Sequence, residues 1–511
     1  MMTLTSQQKH IIDASKSNNL LSIEALAGSG KSSTMMEIVK KMKKRKFLLI
    51  VFSKQLQLET EKKAKKLGLS NLSVRTINAM AYSSMMFGNK WDIIPSFKYY
   101  DVEKYIKSNS YHDVYTLFNK WVLNDDTSTV IDKYKYNVSS TVANDTTKLI
   151  KAMGKNGSKV THSFYMKMYM IKVVTTDYTL KKYDTLILDE AQDTSVPAYM
   201  IFKHIKIRYK IKVGDSLQSI FAFANLKNSL KDKDGFKVAK LTKSFRLTPY
   251  IASKVNDVCN SMYWYDIKME GGNNDKPRSN YTKAIICRTN AGILEYYINN
   301  LLTPYSYDIF RTSKNPTELF ENIFEVHKLL NNKTSKFDRL RTIHKEKTKN
   351  DPQEFNSWLA SEYIKDSSAE VHLSYMLITK YNMNMLFYAY KLAKKIWNSK
   401  RYHKNVILTA HSSKGLEFDA VKLYNDFSTC DVLKDNIIDD YKGIKGLDHD
   451  EIVPYDEAIE YLLDMETSTD SLAEVNLVYV AITRAKYRIL LHGNEEHPLH
   501  EWLRPFIQGK K

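Results

Sequence analysis

The sequence predicts an α/β fold of two units, each built on a parallel sheet and each carrying a mainly helical insertion. Three observations carry this expectation. Short apolar runs alternate with helical spacing early in the chain, and the same grammar restarts late. The runs end on small, polar or acidic residues, as strands of a parallel sheet do where a site lies along their C-terminal edge. Between the two blocks and within the first lie long stretches with amphipathic patterns and no such punctuation. At 511 residues the chain is also too long for one core, and usual domain sizes suggest about three or four units.

Taken in order, LLSIEALA (20–27) reads as a strand, AGSGKS as a loop of small residues, and SSTMMEIVKKMKK as a helix. A second strand is expected at 47–52 (FLLIVF), between lysine-rich segments. A third, at 185–188, runs directly into acidic residues, and a fourth, IKV at 211–213, ends on Gly214 and Asp215. The second unit is expected from KAIICRT (283–289), NVILTAHS (405–412), AVKLYN (420–425) and RILLHG (488–493). Insertions rich in Lys, Tyr and Asn occupy 84–172 and 304–400. The predicted division is therefore 1–83 with 173–238, insertion 84–172, then 239–303 with 401–511, and insertion 304–400. GGNNDKPRSN (271–280) is a loop by composition, and acid-rich 431–474 reads as a solvated face or surface insertion.

The 77 basic residues against 57 acidic ones give a net charge of +20. That sign favours a polyanionic partner, with a solvated lysine-rich surface as the alternative reading. Cys259, Cys287 and Cys430 are far apart and lack CxxC spacing, which argues against a disulfide framework or structural zinc. The start, MMTLTSQQKHII, lacks the architecture of a secretory signal, and no run approaches the roughly 20 apolar residues of a membrane span. A soluble, cytoplasmic protein without a membrane partner is expected.

Ala25-Leu26-Ala27-Gly28-Ser29-Gly30-Lys31-Ser32 lies between the first strand and its helix. Small residues let backbone N–H groups approach phosphate oxygens. Lys31 suits the β- and γ-phosphates, Ser32 suits Mg²⁺, and the helix N-terminus adds a favourable dipole. The alternative is a plain glycine-rich turn. Further on, TLIL runs into Asp189-Glu190-Ala191-Gln192-Asp193. Asp189 at the strand end is placed to hold Mg²⁺, and Glu190, on the turn just past the sheet edge, to polarise an attacking water. An acidic helix cap is the bland alternative.

DEAQD is where the chain resembles superfamily 1 helicases of the UvrD/Rep type, and the other motifs follow in that family's order. LTSQQKHII is similar to the glutamine motif that reads adenine and selects Gln8. ALAGSGKS matches the family's phosphate loop, which itself begins with Ala. FSKQLQLETEKKA (52–64) and TINAMAY (76–82) resemble DNA-contacting segments, and VGDSLQSIFAF (213–223) the coupling motif. LTKSFRLTPYI (241–251), TAHSSKGLEFD (409–419) and AEVNLVYVAITRAK (473–486) complete the set. The last of these, with THSFYMKMY (161–169), looks most like the F-box DNA helicase branch and related phage helicases. The F-box itself is not expected, since the glutamine motif already lies at residue 8.

The resemblance implies two RecA-like motor domains of the P-loop NTPase class, with ATP and Mg²⁺ as cofactors. It assigns nucleotide contacts to Gln8, Ala27, Gly28, Ser29, Gly30, Lys31, Ser32, Ser33, Phe245, Gly415 and Glu417. Ser32 and Asp189 would hold the metal, Lys31, Asp189, Glu190 and Gln218 would act in hydrolysis, and Arg246 and Arg484 of the second unit would be arginine fingers. Phe52, Thr76, Asn78, Phe221, Phe223, Thr409 and His411 would meet or sense DNA. Asn78 stands where the family usually has His, and Ala224 where it has Arg. The implied function is a DNA-stimulated ATPase that translocates 3′ to 5′ and unwinds, acting in replication, recombination or repair. The alternative is a protein that strips recombination proteins from DNA without processive unwinding. Single-stranded DNA and its junctions with duplex are the expected partners, with recombination or replication proteins beside them. A monomer or weak self-association is expected, in the cytosol of a bacterium or a phage-infected host.

Overall fold

A computed structural model describes residues 4–507 apart from 98–104, 107–110, 225, 264–266, 276, 278–280, 301–307, 310–314, 332, 338–339, 342–343, 346–347, 349–352, 361–368, 400–404, 466–467 and 493–497. The chain forms two compact units. One comprises Met1–Arg246, Lys268–Glu270 and Lys434–Asn476, the other Leu247–Ile267, Gly271–Leu433 and Leu477–Lys511.

The first unit is organised by a six-stranded sheet of β1 (Leu20–Ala25), β2 (Phe47–Val51), β3 (Leu72–Thr76), β4 (Thr185–Leu188), β5 (Tyr209–Gly214) and β6 (Lys237–Leu241). Their order is β6-β1-β5-β4-β2-β3 and every pairing is parallel. The register aligns Ile23 with Val213, Ile211 with Ile187, and Ile187 with Leu49. The C-terminal ends of the central strands therefore open onto one edge, where the phosphate loop, Asp189 and Asp215 leave the sheet.

Strand pleating sends successive side chains to opposite faces, and β2 is buried on both. Phe47, Leu49 and Val51 join a core with Ile11, Ile38 and Val39. Leu48 and Ile50 join a larger one with Phe118, Trp121 and Phe164 of the first insertion. Helices Tyr111–Leu123, Ser140–Met153 and His162–Thr175 of that insertion thus share a core with the sheet rather than forming one of their own.

Two features depart from the sequence division. β6 belongs to the first sheet, paired with β1 from Leu21–Lys237 to Ala25–Leu241, and the first unit continues to Arg246 rather than ending at 238. Residues 434–476 also belong to that unit. Acid-rich 431–474 is not merely a solvated face. Helices Cys430–Lys445 and Tyr455–Asp464 bury Leu433, Ile437, Ile459 and Leu462, and Tyr441 donates to Glu457 at 2.6 Å.

The second unit has the all-parallel sheet β7 (Lys283–Cys287), β8 (Asp308–Ile309), β9 (Asn405–Thr409), β10 (Phe418–Leu423) and β11 (Ala485–Leu491), in the order β8-β9-β7-β10-β11. Its insertion contributes helices Pro316–Leu330, Glu354–Ala360, Ala369–Lys380 and Met383–Asn398. Leu319, Phe320 and Ile323 pack with Leu386 and Ala389, and all of them with Ile285 and Ile407 of the sheet. Among the described residues no helix is long and apolar enough to cross a membrane.

Candidate functional site

The loop after β1 is shaped by two glycines at positive φ, Gly28 at 72° and Gly30 at 82°, a region that L side chains rarely adopt. A Cβ on Gly28 would fall 2.6 Å from both Arg246 Cβ and Ser244 Oγ, so only glycine lets that segment close over the loop. Phe245 N–H donates to Gly28 O at 2.8 Å. Gly30 is the residue before helix Lys31–Lys41 and offers no side-chain cap, and Thr34 N–H returns to its carbonyl at 2.9 Å. Ser29 Oγ is buried with no hydrogen-bond partner among the described residues. A buried hydroxyl without an acceptor, inside a cradle that a Cβ would fill, suits an oxyanion ligand.

Gln8 and Phe245 flank this loop, each about equally close to where a Gly30 Cβ would lie, at 3.3 Å. Gln8 is the third residue of helix Ser6–Ser17 and closes a capping box with Thr5. Its Oε1 accepts Thr5 N–H at 3.0 Å and its Nε2 donates to Thr34 Oγ1 at 3.1 Å. Neighbouring Gln7 clasps Thr242 through donor and acceptor at 2.8 and 3.0 Å, which ties the helix to the segment after β6.

Glu190 has left the strand and sits at φ 50°, ψ 46°, a left-handed conformation rare for a side-chain-bearing residue. That turn aims its carboxylate back at the phosphate loop, where Lys31 Nζ lies 3.0 Å from Oε2 and 3.2 Å from Oε1. Asp189 Oδ1 accepts Glu190 N–H at 3.0 Å. Burial and the adjacent Glu190 charge push the Asp189 carboxyl above its ordinary range. Burial works against the Lys31 ammonium, yet Glu190, Asp189 and Asp215 outweigh it and hold its pKa above the usual value. The cluster therefore sets one lysine among three carboxylates, one of which, Asp189, resists ionisation.

Two residues that the sequence reading passed over bind this cluster together. Gln192 is completely buried, and its Nε2 donates to Glu190 Oε2 at 2.6 Å and to Asp193 Oδ2 at 3.1 Å. Its Oε1 accepts Asp215 N–H at 3.1 Å, and Asp215 Oδ2 accepts Gln218 Nε2 at 2.5 Å. The signal was present, since Gln192 stands inside DEAQD and Asp215 ends the β5 run.

A sequence model for the UvrD-like helicase C-terminal domain matches residues 100–496, well over half of the chain. The chain belongs to the UvrD-like helicases. It is 23% identical to F-box DNA helicase protein 1 of Schizosaccharomyces pombe over 96% of this chain and 57% of that protein. It is 22% identical to F-box DNA helicase 1 of Gallus gallus over 97% of this chain and 50% of that protein. A 106-residue stretch is 35% identical to an ATP-dependent helicase/nuclease protein of Desulfitobacterium hafniense, covering 19% of this chain and 8% of that one. The chain thus spans little more than half the length of its two F-box relatives. The branch likeness read from AEVNLVYVAITRAK agrees with them.

In this UvrD-like chain the other sequence-derived residues fall in both units. Arg246, expected in the second, belongs to the first and stands with its Cβ against the Gly28 turn. Arg484 belongs to the second unit and is almost wholly buried. Its Nε donates to Val480 O at 2.9 Å, Nη2 to Thr483 Oγ1 at 3.0 Å, and Nη1 to Leu416 O at 3.4 Å. That last bond fixes the turn holding Gly415, at φ 84°, and Glu417, whose Oε1 pairs with Lys486 at 2.7 Å. Thr409 caps the short helix Ala410–Ser413 that contains His411.

On the first unit a cavity of about 460 Å³ adjoins the carboxylates. Phe52, Asn78, Asp189 and Glu190 line it, joined by His162 and Ser163 of the insertion, which the sequence reading did not single out as site residues. Phe52 is 64% exposed, and Thr76 caps helix Ile77–Asn89 beside it. Phe223 is 65% exposed and stands edge-on to Phe221, with ring centroids 6.0 Å apart.

Proposed function

We propose that this chain is an ATP-driven DNA helicase, a DNA-stimulated ATPase that translocates along single-stranded DNA in the 3′ to 5′ direction. The observation that carries the reading is the Lys31–Glu190 pair beneath a glycine-rich loop at the edge of a parallel sheet. UvrD-like membership supports it.

Lys31 exchanges Glu190 for the β- and γ-phosphates when ATP binds, which frees the Glu190 carboxylate to take a proton from water attacking the γ-phosphorus. Ser29 Oγ and the backbone of Gly28 and Gly30 donate to phosphate oxygens, with Ala27 and Ser33 bounding the loop. Phe245 stacks on adenine and Gln8 reads its edge. Ser32 and Asp189 would hold Mg²⁺, which when bound supplies charge neutralisation at the phosphates. Gln218 senses the γ-phosphate, and Arg246, whose Cβ stands against the Gly28 turn, acts as an arginine finger, a contribution of about 10³ to 10⁵ in rate.

Phe52, Phe221 and Phe223 stack on bases, and Thr76, Asn78, Thr409 and His411 meet the strand or relay its presence. Because Phe221 and Phe223 follow Gln218 by three and five residues, strand occupancy and phosphate sensing share one loop. The net charge of +20 suits the phosphodiester backbone.

The test measures ATP hydrolysis with and without single-stranded DNA, beside displacement of strands from 3′- and 5′-tailed duplexes. Stimulated hydrolysis with displacement from 3′ tails is expected, and Lys31→Ala should remove both signals. Displacement from 5′ tails alone overturns the polarity. Stimulated hydrolysis without displacement would instead assign a protein that strips others from DNA.

A further inference from the structure

We infer that Gln192 is a positioning residue that sets the Glu190 carboxylate according to the state of the Gln218 loop, and so couples strand binding to hydrolysis. This rests on the ATPase reading above. The Gln192 amide faces both ways. Its NH₂ group can only donate, and it donates to Glu190 at 2.6 Å and to Asp193 at 3.1 Å. Its carbonyl oxygen can only accept, and it accepts from the backbone of Asp215. One rigid planar group thus joins the end of β4 to the end of β5.

From Asp215 the connection continues without a gap. Its Oδ1 accepts Leu217 N–H at 3.2 Å and its Oδ2 accepts Gln218 Nε2, so the same carboxylate holds the loop backbone and the Gln218 side chain. The backbone oxygen of Gln192 also accepts Ser219 Oγ at 3.3 Å. Asp215, Leu217, Gln218 and the Ser219 hydroxyl are therefore held by Gln192 or by its immediate contact, while Glu24 holds Ser216 and Asn476 holds the Ser219 carbonyl. Fit is tight on the far side. A Cβ at Gly214 would collide with Gln192 Oε1, so the amide occupies the space that any other residue at 214 would need.

The Glu190 carboxylate is gripped from one side by Lys31 and from the other by Gln192. When Lys31 turns to the phosphates, the Gln192 bond stays. A shift of the 215–219 loop when Phe221 and Phe223 take a base then pulls on the Gln192 carbonyl and, through the planar amide, reorients the Glu190 carboxylate. Gln192 touches no substrate atom in this scheme.

The experiment uses the full chain with Gln192→Leu and Gln192→Glu, adenosine triphosphate, and a dT oligonucleotide as the strand. The expected result for Gln192→Leu is an unchanged KM for ATP, a kcat lowered about 10- to 100-fold through loss of a hydrogen bond to a charged group, and a ratio of stimulated to basal rate near one. Gln192→Glu keeps the acceptor for Asp215 N–H but places a carboxylate against Glu190, so it should fail to restore the ratio. Binding of the dT strand, read by anisotropy, should match wild type in both, and this reports folding. A Gln192→Leu chain that binds the strand and keeps the wild-type ratio overturns the inference. A wild-type chain that hydrolyses no ATP overturns the ATPase reading instead.

Discussion

Lys31 Nζ lies 3.0 Å from Glu190 Oε2, so the ammonium that follows the glycine loop and the carboxylate that follows β4 neutralise each other. The pair is half-sheltered, with side chains 15% and 28% exposed. Neither charge is left alone, and in the proposed cycle ATP binding would separate them.

Glu190→Gln should therefore separate binding from chemistry. Removing the carboxylate takes away a negative neighbour of Asp189 and the competitor for Lys31, so ATP affinity should hold or rise. Hydrolysis should fall about 10²- to 10⁴-fold, the usual worth of a positioned base. Equilibrium binding of a fluorescent ATP analogue beside a phosphate-release assay checks both. A loss of affinity as large as the loss of rate would contradict the assignment.

At the cavity edge, Phe52→Ala should weaken binding of a dT oligonucleotide about 5- to 150-fold, the range for one stacked base. His162→Ala should weaken it less, because that ring lies at the wall and already meets Tyr165 OH at 2.9 Å. Basal hydrolysis without DNA should be unchanged in both. Anisotropy titrations at two salt concentrations measure the effect.

Ala224 is exposed one residue beyond Phe223. Ala224→Arg should add a phosphate contact, raise affinity for single strands, and steepen the slope of log K against log salt by about 0.7. Unchanged affinity and unchanged strand displacement would show that this position takes no part in the track.

Lys167 in the first insertion is fully buried, with Nζ donating to Asn124 O at 2.8 Å and Asn124 Oδ1 at 2.9 Å and facing the Trp121 ring at 5.1 Å. Burial pushes its pKa down to about 7. Between about 7 and the unfolded value near 10.5 the unfolded chain binds the extra proton, so this group's cost is full below pH 7 and fades as pH rises. Resistance of the first unit to urea should rise from pH 7 to pH 9. Lys167→Met should flatten that rise, as read by tryptophan fluorescence.

Much of the first unit was legible because its strands are short apolar runs ending on chemistry. TLIL before DEAQD and LLSIEA before the glycine loop each show where a strand stops. β6 was not, since KVAKL is an edge strand with alternating burial and two lysines, which reads as a solvated segment. The helices at 430–445 and 455–464 hid for a related reason, because their buried Leu433, Ile437 and Leu462 are diluted by acids on the outer face. Gln192 was in plain sight, but an amide in a motif carries no charge to draw attention, and its role emerges only when β4 and β5 become neighbours.

The contact between Gly214 and Gln192 ties the identities of the two positions to one another. A methyl group at 214 displaces the Gln192 carbonyl, and a shorter residue at 192 lets go of Glu190 and Asp215 together. A selection for active variants that randomises both codons should return the parental glycine–glutamine combination, with single-position winners at 214 absent.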